Sequence, residues 1–254
     1  MDRSQNHPLP TPPASAASPA TSTASTGNRT SALPTPRSHR LQPGSQKEIA
    51  LINYLDDRIL KITRRYAKKF SHEGLEKDDT PGYTTYDEFV ADVDPLVDVV
   101  WISGTPTIQI PYLLSLAGLA CSYLEAFPFS TSVFPLTSKI DQGFATLLQP
   151  SENGTAATTM PYHVSMTEKV RIKSLIEETR VAAVNAASES GHDTHTHDLS
   201  ETETEDEDKD TEEEDDQPQN MSISLGLSRI YKRTLEILGD SLVADALPQA
   251  QGND

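Results

Sequence analysis

The sequence predicts an all-α protein, a bundle of about six helices with a disordered N-terminal tail and a long acidic disordered loop. Two observations predict the helical class. Apolar residues recur at three- and four-residue steps in successive segments, which is the spacing of one helix face. No segment alternates convincingly between apolar and polar residues, as a half-buried strand would.

Three capping boxes mark predicted helix starts, at residues 45–48, 85–88 and 165–168. In each, a serine or threonine can accept a hydrogen bond from the amide three residues later, and a glutamate can reach back. The first predicted helix extends over about 25 residues. The second contains Pro95, which predicts a kink or a fresh start at that point. The third is expected to end near Ala187.

Three further helices follow from apolar spacing alone. Residues 110–127 leave almost no polar face, which predicts a central helix that is covered on most sides. A short amphipathic helix is predicted to start at Pro135. The last helix, residues 221–245, places Leu227, Tyr231 and Leu235 on one face.

Composition divides the chain into five parts. Pro, Ser, Thr and Ala dominate the first 44 residues, which is typical of a tail or linker. The predicted parts are a disordered tail, 1–44; a helical domain, 45–187; an acidic disordered loop, 188–220; a C-terminal helix that packs on the helical domain, 221–245; and a disordered end, 246–254.

The acidic loop holds most of the net charge. Residues 201–216 contain twelve carboxylates and one cation, Lys209, so they account for 11 of the 17 net negative charges. Ordering a backbone costs roughly 1 to 2 kcal/mol per residue, and this segment has no aromatic or aliphatic β-branched side chain to offset that cost. We therefore expect a solvated loop.

The sequence predicts no catalytic residue, no metal site and no cofactor. The single cysteine, Cys121, lies in an apolar helical segment, so a buried structural role is expected. His192, His195 and His197 have metal-ligand chemistry but lie in the predicted loop, where a rigid site is not expected. The motifs of P-loops, HExxH metalloproteases and Gly-x-Ser-x-Gly hydrolases do not occur in the sequence. These observations favour a protein that is not an enzyme.

Cations on the polar side of the first helix are candidate partner-binding residues. Such a side can be simply solvated, can neutralise nucleic-acid phosphates, or can bind an acidic protein segment, including the acidic loop of this chain. The candidates are Arg58, Lys61, Arg64, Arg65, Lys68 and Lys69.

Short motifs predict phosphorylation in the disordered segments. Some threonines and serines precede proline, and others have an acidic residue three positions later, as acidophilic kinases prefer. An added phosphate carries about −1.5 to −2 charge and could deepen the loop's charge or create a site for arginine. The candidates are Thr11, Ser18, Thr35, Ser200, Thr202, Thr204 and Thr211.

Two segments carry a resemblance to a known family. Residues 101–106, WISGTP, and residues 164–171, VSMTEKVR, resemble parts of a family of small helical proteins from filamentous fungi. Some members bear labels of the meiotic-recombination kind. The resemblance implies a helical fold and supplies no catalytic residues. A RecA-like recombinase would need the P-loop that this sequence lacks.

These observations predict a non-enzymatic helical adaptor or complex subunit with regulated disordered segments, located in the nucleus or cytoplasm. The alternative is a nuclear chromatin- or nucleic-acid-associated factor, such as a meiotic or recombination accessory protein. The expected partner is a protein of unknown identity, with nucleic acid or histones as alternatives, and no membrane. Prolines in the tail oppose the amphipathic helix of a mitochondrial import signal.

Overall fold

Seven α-helices form the described part of the chain. The computed structural model describes residues 32–70, 80–149, 162–192 and 218–246, and none of these stretches contains a strand. The all-α class is therefore confirmed. The helices are α1 (Gln46–Lys69), α2 (Tyr86–Ile102), α3 (Pro106–Leu124), α4 (Val133–Leu148), α5 (Met166–Glu189), α6 (Pro218–Arg229) and α7 (Lys232–Ala246).

The α3 helix is the centre of the bundle. It packs against α2, α4 and α5, and it buries Leu113, Leu116, Ala117 and Ala120 completely. This packing accounts for the near absence of a polar face in the sequence. By length and composition α3 could also cross a membrane, but its apolar residues are used in contacts with these three helices. Outside this centre, α7 packs on α4, and α1 lies on α2.

The three predicted capping residues are all N-caps. The side chains of Ser45, Thr85 and Ser165 each accept a hydrogen bond from the backbone amide three residues later. Only the third site is a complete box, because Glu168 accepts from the Ser165 amide at 2.8 Å. At the first site, Glu48 accepts from the neighbouring Gly44 amide, at 2.6 Å. The local signal thus locates the helix starts correctly.

The α2 helix continues through Pro95, so of the predicted kink or fresh start at that point, the fresh start is wrong. Asp94, the residue before Pro95, contacts another helix. Its carboxylate and that of Asp98 both accept from the ammonium group of Lys139 on α4, at 2.8 and 3.0 Å. The Lys139 side chain is almost fully buried, so this pair of contacts also joins α2 to α4.

The predicted single helix at 221–245 is wrong, because the chain breaks between α6 and α7. Tyr231 sits at the break with φ of 53°, a left-handed conformation that is uncommon for a residue other than glycine. The new helix start is capped from α4. The Asp141 carboxylate accepts from the Thr234 amide at 2.9 Å, from the Thr234 hydroxyl at 2.6 Å and from the Arg233 amide at 3.3 Å.

Part of the predicted tail contacts the bundle. The N-terminal strap, residues 32–44, donates hydrogen bonds from its backbone amides to the end of α2 and to Thr105, the N-cap of α3. The Arg37 amide donates to the Ile102 carbonyl at 3.2 Å, and the amide of the buried Leu41 donates to the Thr105 hydroxyl at 2.9 Å. Composition does not predict this strap, because its contacts use main-chain groups and few apolar side chains.

Several predictions lie outside the described residues. Residues 1–31, most of the acidic loop (193–217) and residues 247–254 belong to this group. The predicted disorder of these segments and the five-part division of the chain stay predictions.

Candidate functional site

Arg65, one of the six candidate partner-binding cations, is an internal connector. Its guanidinium group donates to Asp92 at 2.6 Å, to Glu88 at 3.4 Å and to the Pro81 carbonyl at 3.2 Å. It also lies 4.2 Å from the centre of the Tyr83 ring. These contacts hold α1 against α2, so this residue stabilises the fold.

Two more of the cations face the bundle. The Lys68 ammonium group donates to the Thr80 carbonyl at 2.7 Å, and that of Lys69 lies 4.3 Å from the centre of the Phe127 ring. The two ammonium groups are therefore engaged in contacts near the C-terminal end of α1. They do not form a free basic surface with Arg65.

Only the remaining three cations lie away from these contacts. Lys61 is exposed and pairs with Asp57 at 2.9 Å, which leaves little net charge at that position. Arg64 is exposed and has no ion-pair partner in the described part of the chain. Arg58 is half-buried, and its Nε atom lacks a hydrogen-bond partner. The partner-binding role of the six residues stays a prediction, now centred on Arg58 and Arg64.

We expect Arg65→Met to lower the free energy of unfolding by about 2 to 3 kcal/mol, because it removes several charge-assisted hydrogen bonds between α1 and α2. Arg64→Met is the matched control, since it removes the same charge from the same helix at an exposed position; it should cost less than about 0.5 kcal/mol. Urea unfolding followed by circular dichroism at 222 nm measures both. Equal effects of the two changes would contradict the connector role.

A long groove runs between α3 and α5. It consists of two hollows of about 700 and 550 Å³, the first between the N-terminal halves of the two helices and the second between their C-terminal halves. Glu178 lines both hollows, so they are consecutive. The two helices must therefore run parallel. We call this feature the α3–α5 groove.

Two exposed valines, Val170 and Val181, line the α5 side of this groove among polar and charged residues. Met166, Val170, Val181 and Val184 are four of the ten large apolar side chains that are exposed in the described residues, and they share one face of α5. Val170 lines the first hollow and Val181 the second, with 49% and 61% of their surfaces exposed. Such a concentration of exposed apolar surface is typical of a binding site.

Small residues occupy the middle of the α3 side. Ser115, Gly118 and Ser122 line the groove at successive turns of the helix. A Cβ atom added at Gly118 would meet no heavy atom within 4 Å, so the space above this residue is open. Another helix could approach α3 closely at this point.

The C-terminal end of the groove is acidic. The charged residues that line the second hollow are Glu125, Glu177 and Glu178. Lys173 pairs with Glu177 at 2.9 Å. In the first hollow, Arg171 accompanies Glu168. Charge along the groove is therefore asymmetric, with its negative end at the C-terminus of α3, where the helix dipole also places negative partial charge.

Glu168 is held in its ionised form. Partial burial by itself would raise the pKa of this carboxyl, but hydrogen bonds from Ser165 and Tyr162, together with the charge of Arg171, lower it below the ordinary value. The Tyr162 hydroxyl donates to Glu168 at 3.0 Å, so the residues preceding α5 are fixed at the mouth of the first hollow.

Cys121 lies in the wall of the second hollow, but it has the properties of a structural residue. Burial raises the pKa of its thiol, although a hydrogen bond with Thr179 acts in the opposite direction. A protonated, buried thiol is a poor nucleophile. No group of three or more His, Cys, Asp or Glu side chains suited to a metal ion occurs among the residues described, and His195 and His197 are not among them.

One predicted phosphorylation site can be located. Thr35 is exposed in the N-terminal strap, immediately before Pro36. The other candidates, Thr11, Ser18, Ser200, Thr202, Thr204 and Thr211, lie outside the described residues. All seven stay predictions.

Sequence reasoning missed the α3–α5 groove. A partial signal exists, because Val170, Val181 and Val184 share one face of α5, apart from the buried stripe that contains Ile172 and Ile176. Packing in a single core requires only the buried stripe, so apolar residues on another face of the helix indicate a further contact.

Comparison with known proteins places this chain beside a described family. A family model described as TFB6, subunit 11 of the general transcription factor TFIIH, matches residues 82–239, more than half of the 254-residue chain. The matched region includes the α3–α5 groove, whereas the N-terminal strap and α1 precede it. No match was found among curated proteins or among solved structures. The predicted small helical family is supported, and the filamentous-fungal resemblance stays a prediction.

Proposed function

The chain belongs to the TFB6 family, subunit 11 of the general transcription factor TFIIH, and on this basis we propose that it is a non-enzymatic subunit of a TFIIH-type complex in the nucleus. The observation that carries this proposal is the extent of the match, which spans α2 to α6 and half of α7. The proposed subunit acts as a helical adaptor, because six of the ten large apolar side chains that are exposed among the described residues lie in the matched region.

Regulation of this adaptor is proposed at the phosphorylation candidates. Thr35 is the clearest of them, since it is exposed in a strap that is attached to the bundle on its C-terminal side by Arg37 and Leu41. A phosphate at this position would add negative charge two residues from the guanidinium group of Arg37.

A second candidate function is association with nucleic acid or chromatin. The observation that favours it is the exposed guanidinium group of Arg64, which has no ion-pair partner in the described stretches and could neutralise a phosphate. The internal contacts of Arg65, Lys68 and Lys69 reduce the basic surface available, so we place this function second.

Affinity purification of the full chain from nuclear extract tests the first function. We expect several subunits of a TFIIH-type complex to co-purify and to remain bound after nuclease treatment, because the proposed contacts are between proteins. Mass spectrometry and co-migration in size-exclusion chromatography measure the result.

Two outcomes would contradict the proposal. If no subunit of such a complex co-purifies, the chain is not part of one under these conditions of extraction. If all partners are lost after nuclease treatment or at moderate salt, nucleic acid bridges them, and the second function is favoured.

A further inference from the structure

We propose that the α3–α5 groove binds a basic amphipathic helix of a partner protein. This inference rests on the proposed function, because it states the kind of partner segment that such a complex subunit recognises. It commits to a segment of another protein rather than to a second copy of this chain.

The shape of the groove fits a helix. The α3 side of the groove, which is its floor, extends from Thr107 to Glu125. These positions are 18 residues apart, which corresponds to about 27 Å or five helical turns. The open position at Gly118 lies near the middle of this length. A helix docked along the floor can therefore approach closely at its centre, as amphipathic helices do in apolar grooves.

The walls supply apolar contacts at both ends of the floor. Val170 lines the first hollow and Val181 the second, and both are about half exposed without a partner. They lie 11 residues apart on α5, which is about 16 Å along the helix axis. A partner helix with apolar residues on one face over three turns would cover both side chains.

Charge determines which partner is favoured. The second hollow presents the carboxylates of Glu125, Glu177 and Glu178, and Lys173 pairs with only one of them. A partner helix with lysine or arginine beside its apolar face would pair with the remaining two. A second copy of this chain is disfavoured, because a symmetric contact would place groove against groove, and two concave surfaces do not fill each other.

Synthetic helical peptides test the inference. The probe is a fluorescein-labelled amphipathic peptide of about five turns, with leucine at the spacing of one helix face and lysine on its flanks; the comparison peptide carries glutamate in place of each lysine. We expect the full chain to bind the lysine peptide and not the glutamate peptide in fluorescence anisotropy. Gly118→Leu should weaken binding by at least about tenfold, because its side chain fills the groove.

Matched variants separate this effect from changes in folding. Gly239→Leu is the control for the groove, since Gly239 is also a helical glycine whose added Cβ would meet nothing within 4 Å, but it lies on α7. Glu178→Lys should weaken binding of the lysine peptide and allow binding of the glutamate peptide. Glu236→Lys, on the exposed surface of α7, should change the binding of neither peptide.

Four outcomes would overturn the inference: failure of the lysine peptide to bind, equal binding of the two peptides, equal loss in Gly118→Leu and Gly239→Leu, or a dimer in sedimentation that Gly118→Leu abolishes. The last would assign the groove to a second copy. Co-purification of the complex by a Gly118→Leu variant that fails to bind peptide would leave the proposed function intact and locate its interface elsewhere.

Discussion

Replacing Asp141 with alanine is expected to destabilise the bundle by about 3 to 4 kcal/mol, because the change leaves buried donors without an acceptor and removes the cap of α7. Asp141 is 4% exposed, and its carboxylate accepts from the Arg233 amide and from both the amide and hydroxyl of Thr234. Each unsatisfied buried group costs about 1 to 3 kcal/mol. Urea unfolding monitored by circular dichroism measures the loss.

Asp141→Asn is the control for this prediction. Asparagine keeps the size of the side chain and one acceptor oxygen, so it should retain the bonds to Thr234 and lose the one to Arg233. Its cost should be about half that of the alanine variant. A loss below about 1 kcal/mol in Asp141→Ala would mean that the α7 helix start does not depend on this carboxylate.

Leu116→Ala should have an effect of similar size, about 3 to 5 kcal/mol, because Leu116 is completely buried at the centre of α3. Leu119, one turn later, is only partly buried, and its replacement by alanine should cost about 1 to 2 kcal/mol. The sequence alone places both leucines in the predicted central helix and expects the same loss from each. Chemical denaturation of the two variants distinguishes these expectations, and equal losses would show that the burial of the two side chains is alike.

Helix starts are predictable here where the capping group is close in sequence. Ser45, Thr85 and Ser165 each accept from an amide three residues later, so a short motif contains both partners of the bond. The start of α7 lacks such a motif. Its cap is Asp141, 93 residues before Thr234, and the apolar spacing of residues 221–245 continues through the break. A pattern within one segment cannot report a hydrogen bond to another segment.

The candidate sites show the same limit. Helical spacing places Arg64 and Arg65 among the polar residues of α1, but it cannot predict that Arg65 contacts Asp92, 27 residues later. The α3–α5 groove also depends on two helices that are separate in sequence and parallel in space. The valines on the second face of α5 are visible in the sequence, whereas the open space at Gly118 and the carboxylates beside it are properties of the packed pair.

The capping of α7 by α4 has a consequence for folding during protein synthesis. At about 5 to 20 residues per second, the ribosome needs about 5 to 20 seconds to extend the chain from Asp141 to Thr234. Throughout that time α4 exists without α7, so the ring of Phe144, which is fully buried and lies 6.5 Å from that of Tyr231 in the bundle, lacks part of its cover. Nascent chains of this protein therefore present an apolar surface on α4 that chaperones can bind before translation ends.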